Sequence, residues 1–400
     1  MRIRKIAGRL HLALGLATGL VFALVCLSGA LVAFTEEALN VANRKHIKVV
    51  PQEGPRKPVE AILEKYRQAY PNEQVFVFNA YREKDRSYDF FSAVLKPGSK
   101  NEYGGYKMVY ADPYTGEILH VDKGTLEIIV LVVTLHTTLL MGEFGHGLIK
   151  ACTLIFLVQL IAGLVLWRPR NRAAFKAALQ WAWRSGPRRR LFDGHRTVGF
   201  YASAGLLVMV LTSLVMSWTW VSKPVVAAFG GEPSLVHGEE EEPPARKRRP
   251  GADFSLDSLA RSAWTADAHV NQATFLLPLH DTVGTLTLRT HSASTFLNFA
   301  VGSPTEYDRV TGEPMAGAEA EGEARNDRIF ATNLLIHMGF WGGTPTKILY
   351  FILGIAGASL PVTGFFLWRG KRRRRRLNPG ANPSGLEDPE SEPETVHAKA

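Results

Sequence analysis

A chain of 400 residues with 46% hydrophobic residues and a formal charge of +10 could hold two ordinary domains, but its apolar residues gather into long runs instead of spreading over one core. That bunching argues against a wholly soluble fold. Two cysteines, Cys26 and Cys152, both inside apolar runs, exclude a disulfide framework or a cysteine metal site in any exported part.

The basic start, "MRIRKIAGR", leads into an apolar run over 10–34, and further runs cover 147–167, 197–220 and 347–368. Each is about 21–25 residues long, enough to cross a hydrocarbon core of about 30 Å as a helix. The first is too long for the apolar core of a signal peptide and lacks a small-x-small cleavage site, so it is expected to stay as an anchor. Arg2, Arg4, Lys5 and Arg9 precede it, nine arginines and lysines lie between 168 and 196, and "RGKRRRRR" opens the tail. By the positive-inside rule these belong in the cytoplasm, with both termini. The charge is then membrane anchoring, and no nucleic-acid partner is expected.

The two long polar segments fall on the other side, the periplasm of a bacterial inner membrane. The expected division is 1–34, N-terminus and first span; 35–124, first periplasmic domain; 125–168, interfacial helix and second span; 169–192, basic loop; 193–220, third span; 221–328, second periplasmic domain; 329–369, interfacial helix and fourth span; 370–400, polar tail. In the first domain "VEAILEKYRQAYP" has helical spacing, and "QVFVFNAY", "YDFFSAVLK" and "YKMVYADPYTGEIL" alternate like strands. In the second, "LDSLARSAWTA" reads as helix and "ATFLLPLHD", "VGTLTLRTHS" and "TFLNFAVG" as strands, while the charged "EEEEPPARKRRPG" reads as a loop. The fold class is a four-helix membrane bundle carrying two small α+β domains. Residues 125–141 are apolar enough for a fifth span, but a crossing there would export "WRPRNR". They are expected to form an interfacial helix, broken from the next span by Gly142, Gly145 and Gly147.

The two halves match each other. "DPYTGE" (112–117) and "DRVTGE" (308–313) share D-x-x-T-G-E, which suits a turn with glycine at positive φ. His11 with Gly15 and His195 with Gly199 are both H-x-x-x-G. "LIAGLVLW" and "LPVTGFFLW" end the second and fourth spans, and 27 residues before Gly163 and Gly364 stand His136 and His337. This register points to an internal duplication and singles out four of twelve histidines.

Two of the four sit at the basic ends of the first and third spans, and two just ahead of the second and fourth. An ionisable group at such depth is a functional-site hypothesis. Neutral imidazole is a good axial ligand to haem iron, and two on different helices can clamp one porphyrin. Gly15 and Gly199 would let a flat macrocycle approach the backbone. The alternative is an interfacial histidine bonded to a carbonyl or headgroup. Zinc or copper lacks a third and fourth ligand, and Met141 or Met338 could replace a histidine or simply pack. His146 has Lys347 at its counterpart and is set aside. His46, His120, His237, His269, His280, His291 and His397 show no metal spacing.

"GRLHLALGLATGLVFALVCLSGALVAF", "MVYADPYTGEIL", "LHTTLLMGEFGHG…LIAGLVLWRPR", "HRTVGFYASAGLLVMVLTSLVMS" and "LPVTGFFLWRG" together resemble the PepSY-associated transmembrane family of bacterial inner-membrane proteins, over about residues 5–370. The resemblance implies PepSY-like exported domains and, as in members similar to ferric-siderophore reductases, two b-type haems. It assigns the paired axial ligands to His11 with His195 and to His136 with His337, and makes the acceptor a periplasmic ferric chelate. Tyr103, Tyr106, Tyr110 and Trp341 are candidates near the outer haem. Only a polar tail follows "RRRRR", so electrons would come from membrane quinol or a cytoplasmic flavoprotein. The rival reading is a haem-free PepSY module that binds or regulates a periplasmic peptidase or another partner. A permease is a weaker rival, since the spans carry no charge inside them.

Overall fold

The computed structural model describes residues 2–95, 103–236, 255–277, 285–292, 303–308, 312–314 and 318–377. The chain divides into two compact units. One comprises Met1–Leu27, Gly147–Val210 and Ile352–Ala400, the other Ser28–His146 and Leu211–Phe351.

Among the described residues four helices are long and apolar enough to cross a membrane: α1 (Arg2–Val32), α5 (Gly142–Trp167), α7 (Pro187–Ser217) and α11 (Thr344–Leu377). They match the four sequence runs, and α1, α7 and α11 extend into the basic flanks, because arginine and lysine are good helix formers. Their polarity is inverted relative to a soluble helix. On α1 the exposed stripe is Leu12, Leu16, Leu20 and Leu24, one leucine per turn, as suits a face against lipid tails. Within the first unit small residues take the packed side. Gly19 meets Pro361, and Gly357 meets Cys26 and Leu206. Beside them Phe22 stacks on Phe156 at 3.5 Å between ring centres. Close backbone approach of this kind holds helices together where there is no hydrophobic drive between them. The basic loop folds into a short helix, α6 (Arg172–Ala178), capped by Asn171.

The second unit is built on one seven-stranded antiparallel sheet, β1 (Glu73–Tyr81), β2 (Tyr88–Leu95), β3 (Tyr103–Ala111), β4 (Ile118–Asp122), β5 (Gln272–Leu276), β6 (Thr285–His291) and β7 (Ser303–Asp308), in the order β4-β3-β2-β1-β5-β6-β7. The two polar segments are therefore not separate sheets, because β5 pairs along its whole length with Val77–Tyr81 of β1. β1 to β6 were legible from alternation and β7 was not, whereas the pairing of one segment's first strand with the other's is a long-range choice that no local pattern encodes. "TFLNFAVG" and "EEEEPPARKRRPG" lie outside the described residues. β7 is an edge strand, where Pro304 is tolerated.

Helices α3 (Val59–Ala69) and α9 (Leu256–Ala266) contribute to the main core. Val59, Ile62, Leu63 and Tyr66 from α3, and Leu256, Leu259 and Ala260 from α9, bury against Phe78, Phe90 and Phe275. Neither helix has a side-chain N-cap of its own. Instead each caps the other: the Val59 N–H donates to Asp257 Oδ2 at 2.7 Å and the Leu256 N–H to Glu60 Oε1 at 2.5 Å. Two of the otherwise unsatisfied first-turn donors are thereby paired, with a carboxylate at each positive helix end.

Both D-x-x-T-G-E corners bend alike. Gly116 and Gly312 have φ of 70° and 69°. The Asp112 N–H donates to Glu117 O at 2.9 Å and the Asp308 N–H to Glu313 O at 3.0 Å, and each glycine N–H returns to its aspartate carbonyl.

Where β1 meets β5 the sheet carries a buried polar chain. Gln272 Nε2 and Thr274 Oγ1 donate to Asn79 Oδ1, Asn79 Nδ2 donates to Asp89 Oδ1 at 2.8 Å, and Tyr81 OH donates to Asp89 Oδ2 at 2.5 Å. Burial pushes the Asp89 carboxyl above the ordinary range. A one-residue slip of β5 would break the two bonds that Gln272 and Thr274 make to Asn79, so these two bonds fix the register of the seam.

A second buried set joins α3 to the sheet. Glu73 pairs with Lys107 and accepts from the hydroxyls of Tyr66 and Ser92. Burial alone would raise the Glu73 carboxyl, but the ammonium and the two hydroxyls outweigh it and hold it below the ordinary value. A depressed carboxyl stabilises the fold above the unfolded value near pH 4.3, and that contribution fades as pH falls through the lower folded value. Lys107→Met is expected to cost about 3 kcal/mol, by leaving a buried carboxylate unpaired. A fall in the thermal midpoint at pH 7 that shrinks towards pH 3 checks it.

Candidate functional site

His11 stands in the third turn of α1 and His195 in the third turn of α7, with ring centres 6.1 Å apart and planes at 78°. The Nδ1 of His11 lies 3.2 Å from the backbone oxygen of Gln159. A carbonyl only accepts, so the neutral ring carries its proton on Nδ1 and its lone pair on Nε2. Gln159 returns the contact, its Nε2 donating to His11 O at 2.9 Å. The Nδ1 of His195 lies 2.8 Å from Thr363 Oγ1, whose own proton faces the carbonyls of Ser359 and Leu360. Thr363 therefore accepts from the ring, and His195 takes the same tautomer. Glycines floor both rings. A Cβ on Gly163 would lie 3.2 Å from His11 Cε1, and one on Gly364 would lie 3.4 Å from His195 Cε1.

His136 and His337 form the second pair, in the second unit, with ring centres 6.3 Å apart and planes at 55°. Each closes a helix that ends on a left-handed residue: α4 (Thr125–Thr138) on Leu139, and α10 (Ala318–Met338) on Gly339. Ser28 Oγ is 3.3 Å from His136 Nδ1 and Thr212 Oγ1 is 2.9 Å from His337 Nδ1. Gly29 lies under the His136 ring, where a Cβ would come within 2.8 Å of Cε1. Asn333 Nδ2 donates to Thr212 O at 2.9 Å and ties α10 to α7 beside His337.

The break between α4 and α5 differs from the sequence expectation. It falls at Leu139 and Leu140, with φ of 52° and 61°, and at Gly142, while Gly145 and Gly147 lie inside α5. Gly145 is needed for a different reason: any Cβ there would overlap the carbonyl of Thr138, so α4 and α5 turn on a glycine that no side chain can replace.

Two metal–imidazole bonds of about 2.0 Å, plus about 1.1 Å from each nitrogen to its ring centre, put trans imidazoles about 6.2 Å apart. Both pairs have that spacing. In each case the second nitrogen is held by a protein group, the arrangement that orients a metal-binding imidazole. Among the described residues no group of three or more His, Cys, Asp or Glu converges as for zinc. In the same unit three buried donors, Trp167 Nε1, Trp181 Nε1 and Arg196 Nε, have no acceptor. Trp181 lies against Gly194, next to His195, and Arg196 already uses Nη2 on Ala177 O and Asp193. Buried donors of this kind suit a ligand with acidic groups.

Gly15 and Gly199 do not open towards a ligand. Their Cα–H directions meet Gln159 Nε2 and Leu360, so their smallness serves helix packing. Met141 is exposed, and Met338 packs on Leu334, Leu335 and Phe340; neither stands in for a histidine. Tyr110 is buried with Tyr106 against Phe91 and Met108, as core residues, while Trp341 is exposed. Tyr103 begins β3. His269 is exposed and His291 buried; His237, His280 and His397 lie outside the described residues.

Sequence reasoning missed Ser28, Thr212, Gln159 and Thr363. The signal was present for the first two, each of which stands seventeen residues after His11 or His195. The same internal comparison would have found them.

No curated protein matches the sequence. It does match the family described as the PepSY-associated TM region over residues 8–371, which takes in all four histidines, both D-x-x-T-G-E corners and every membrane helix in whole or large part. A match over nine-tenths of its length places the chain in the PepSY-associated transmembrane family.

Proposed function

We propose that the protein is a di-haem b electron-transfer protein of the bacterial inner membrane that passes electrons from quinol or a cytoplasmic flavoprotein to a periplasmic acceptor, above all the iron of a ferric siderophore. The observation that carries this reading is the pair of imidazole spacings, 6.1 and 6.3 Å, each with Nδ1 engaged by a neighbouring helix. His11 with His195 would hold one haem and His136 with His337 the other, and each haem, when bound, supplies a one-electron carrier. The chain's own residues orient the rings. Gln159 and Thr363 select the tautomer that presents Nε2, and Gly163, Gly364 and Gly29 leave room for the rings to lie flat against a helix. Trp167, Trp181 and Arg196 offer donors to acidic groups at the inner site. One electron delivered to a ferric chelate gives Fe(II), which hard oxygen ligands hold less well, and the metal is released.

The basic flanks support, by the positive-inside rule, chain ends in the cytoplasm and the sheet in the periplasm. Matching corners, reciprocal caps and the repeated histidine–hydroxyl spacing support an internal duplication.

A dithionite-reduced minus oxidised spectrum of the detergent-purified protein, with haem counted per chain, tests the reading. The expected result is b-type α and Soret bands at about two haems per chain. A featureless spectrum from cells supplied with iron and haem precursor would overturn it, in favour of a haem-free PepSY module for a periplasmic partner. Thr363→Val removes the acceptor for His195 Nδ1 and is expected to weaken inner-site haem retention about 10–100-fold. The rate of haem loss to apomyoglobin reads it, and unchanged loss would refute the role of Thr363.

A further inference from the structure

His46 lies four residues beyond α2 (Thr35–Ala42), and His120 lies on the edge strand β4. The two rings stack face to face, with centres 4.2 Å apart and planes within 10°, and both are half-buried. They belong to different backbone segments, 74 residues apart in sequence. The segment after α2 is itself anchored to its surroundings. Asn43 Nδ2 donates to Asp122 Oδ2 at 2.7 Å, the His46 N–H donates to Asn43 O at 2.8 Å, and the Ser87 N–H donates to Ile47 O at 3.0 Å. Two imidazoles are thus held opposite one another by fixed backbone, at an edge open to solvent. Burial, the facing His120 and the adjacent Lys45 together hold His46 below the ordinary histidine value, which favours the neutral ring.

From this juxtaposition we infer that His46 and His120 form a two-imidazole clamp for a borderline divalent transition metal, with zinc, copper and nickel as its class. Metal–imidazole bonds of about 2.0 Å need the two ligating nitrogens about 3 Å apart. The ring centres are 4.2 Å apart, and histidine χ2 is a broad two-fold torsion, so tilting the two rings towards each other can bring one nitrogen of each to a shared ion. Closing the gap is a side-chain movement and leaves the backbone in place. Water completes the coordination. Imidazole selects against calcium and magnesium, and the Irving–Williams order sets Fe(II) well below copper and zinc, so the clamp is not a store for ferrous iron. Its physical consequence is a cross-link. A bound ion would staple the chain just after α2 to the edge strand and blunt an exposed edge. The inference is independent of the haem reading.

The test is calorimetric titration of zinc chloride into the full-length, detergent-solubilised protein without a polyhistidine tag. One site per chain is expected, weakened at least about tenfold in His46→Gln and in His120→Gln alike, with His269→Gln unchanged as control. Saturating zinc should also raise the thermal midpoint of the native protein but not that of the double variant, since only the folded clamp binds. Zinc binding that is the same in the native protein and in His46→Gln/His120→Gln would overturn the proposal. So would loss in only one of the single variants, which would leave a lone imidazole rather than a clamp.

Discussion

Replacing either His136 or His337 by alanine is expected to leave one haem per chain, with the inner site intact. The two pairs lie in different units, and each ring of the second pair is oriented by its own hydroxyl, Ser28 for His136 and Thr212 for His337. Nothing in that geometry involves His11, His195, Gln159 or Thr363. On the proposed haem reading, losing one histidine would remove one of the two ligands that the protein supplies, a larger effect than losing a group that merely orients a ligand. Purified His136→Ala and His337→Ala should each show about one haem by pyridine haemochrome, and the converse variants, His11→Ala and His195→Ala, should retain the other. Two haems in His136→Ala, or none, would refute the pairing as drawn.

The second large effect concerns a glycine that touches no ligand. Gly145→Ala is expected to disrupt the corner between α4 and α5, because its Cβ would overlap the Thr138 carbonyl. Backbone cannot yield as the tip of a flexible side chain can, so a cost above about 4 kcal/mol is expected, in the range kept for severe steric conflicts. Two residues on, Gly147 has open space where a Cβ would go. Gly147→Ala should therefore be neutral or stabilising by up to about 1 kcal/mol, through helix propensity. The contrast isolates the clash from any general intolerance of the segment. Expression and thermal midpoint of the two variants decide it, and equal behaviour would show that the corner can relax. Since His136 is two residues from Thr138, on the proposed reading Gly145→Ala should also lower haem content at the His136–His337 pair.

Much of this was legible in the sequence. Four apolar runs gave the four long helices, alternation gave the strands of the first segment, and the D-x-x-T-G-E glycines took the positive φ that the motif calls for. The histidine pairing was visible only through comparison of the two halves, since one histidine in an apolar run says little. What stayed hidden was non-local. Nothing near Asn79 announces Thr274 as its cross-strand neighbour, and nothing near Val59 announces Asp257 as its cap. The helix break was placed only in part. Glycine-rich "GEFGHG" invites a break, and Gly142 does take positive φ, but the left-handed turn begins on two leucines and Gly145 serves close approach. Short helices such as α2 and α6 escaped notice because eight or seven residues carry too little periodicity to stand out.

The seam between β1 and β5 bears on how the chain is made. Tyr81 and its partner Gln272 are 191 residues apart, and both α5 and α7 lie between them. A ribosome has to deliver two further hydrophobic helices to the bilayer before the second edge of β1 can be covered. Until then the emerging β1–β4 meander has an open flank lined by Asn79, whose amide has no Thr274 or Gln272 to receive. Closure of the sheet is therefore a late event that reports on insertion: a chain whose middle helices fail to cross would strand β5 in the other compartment and leave that flank exposed to proteases and chaperones. Closing the sheet would in this way act as a proofreading step for membrane topology.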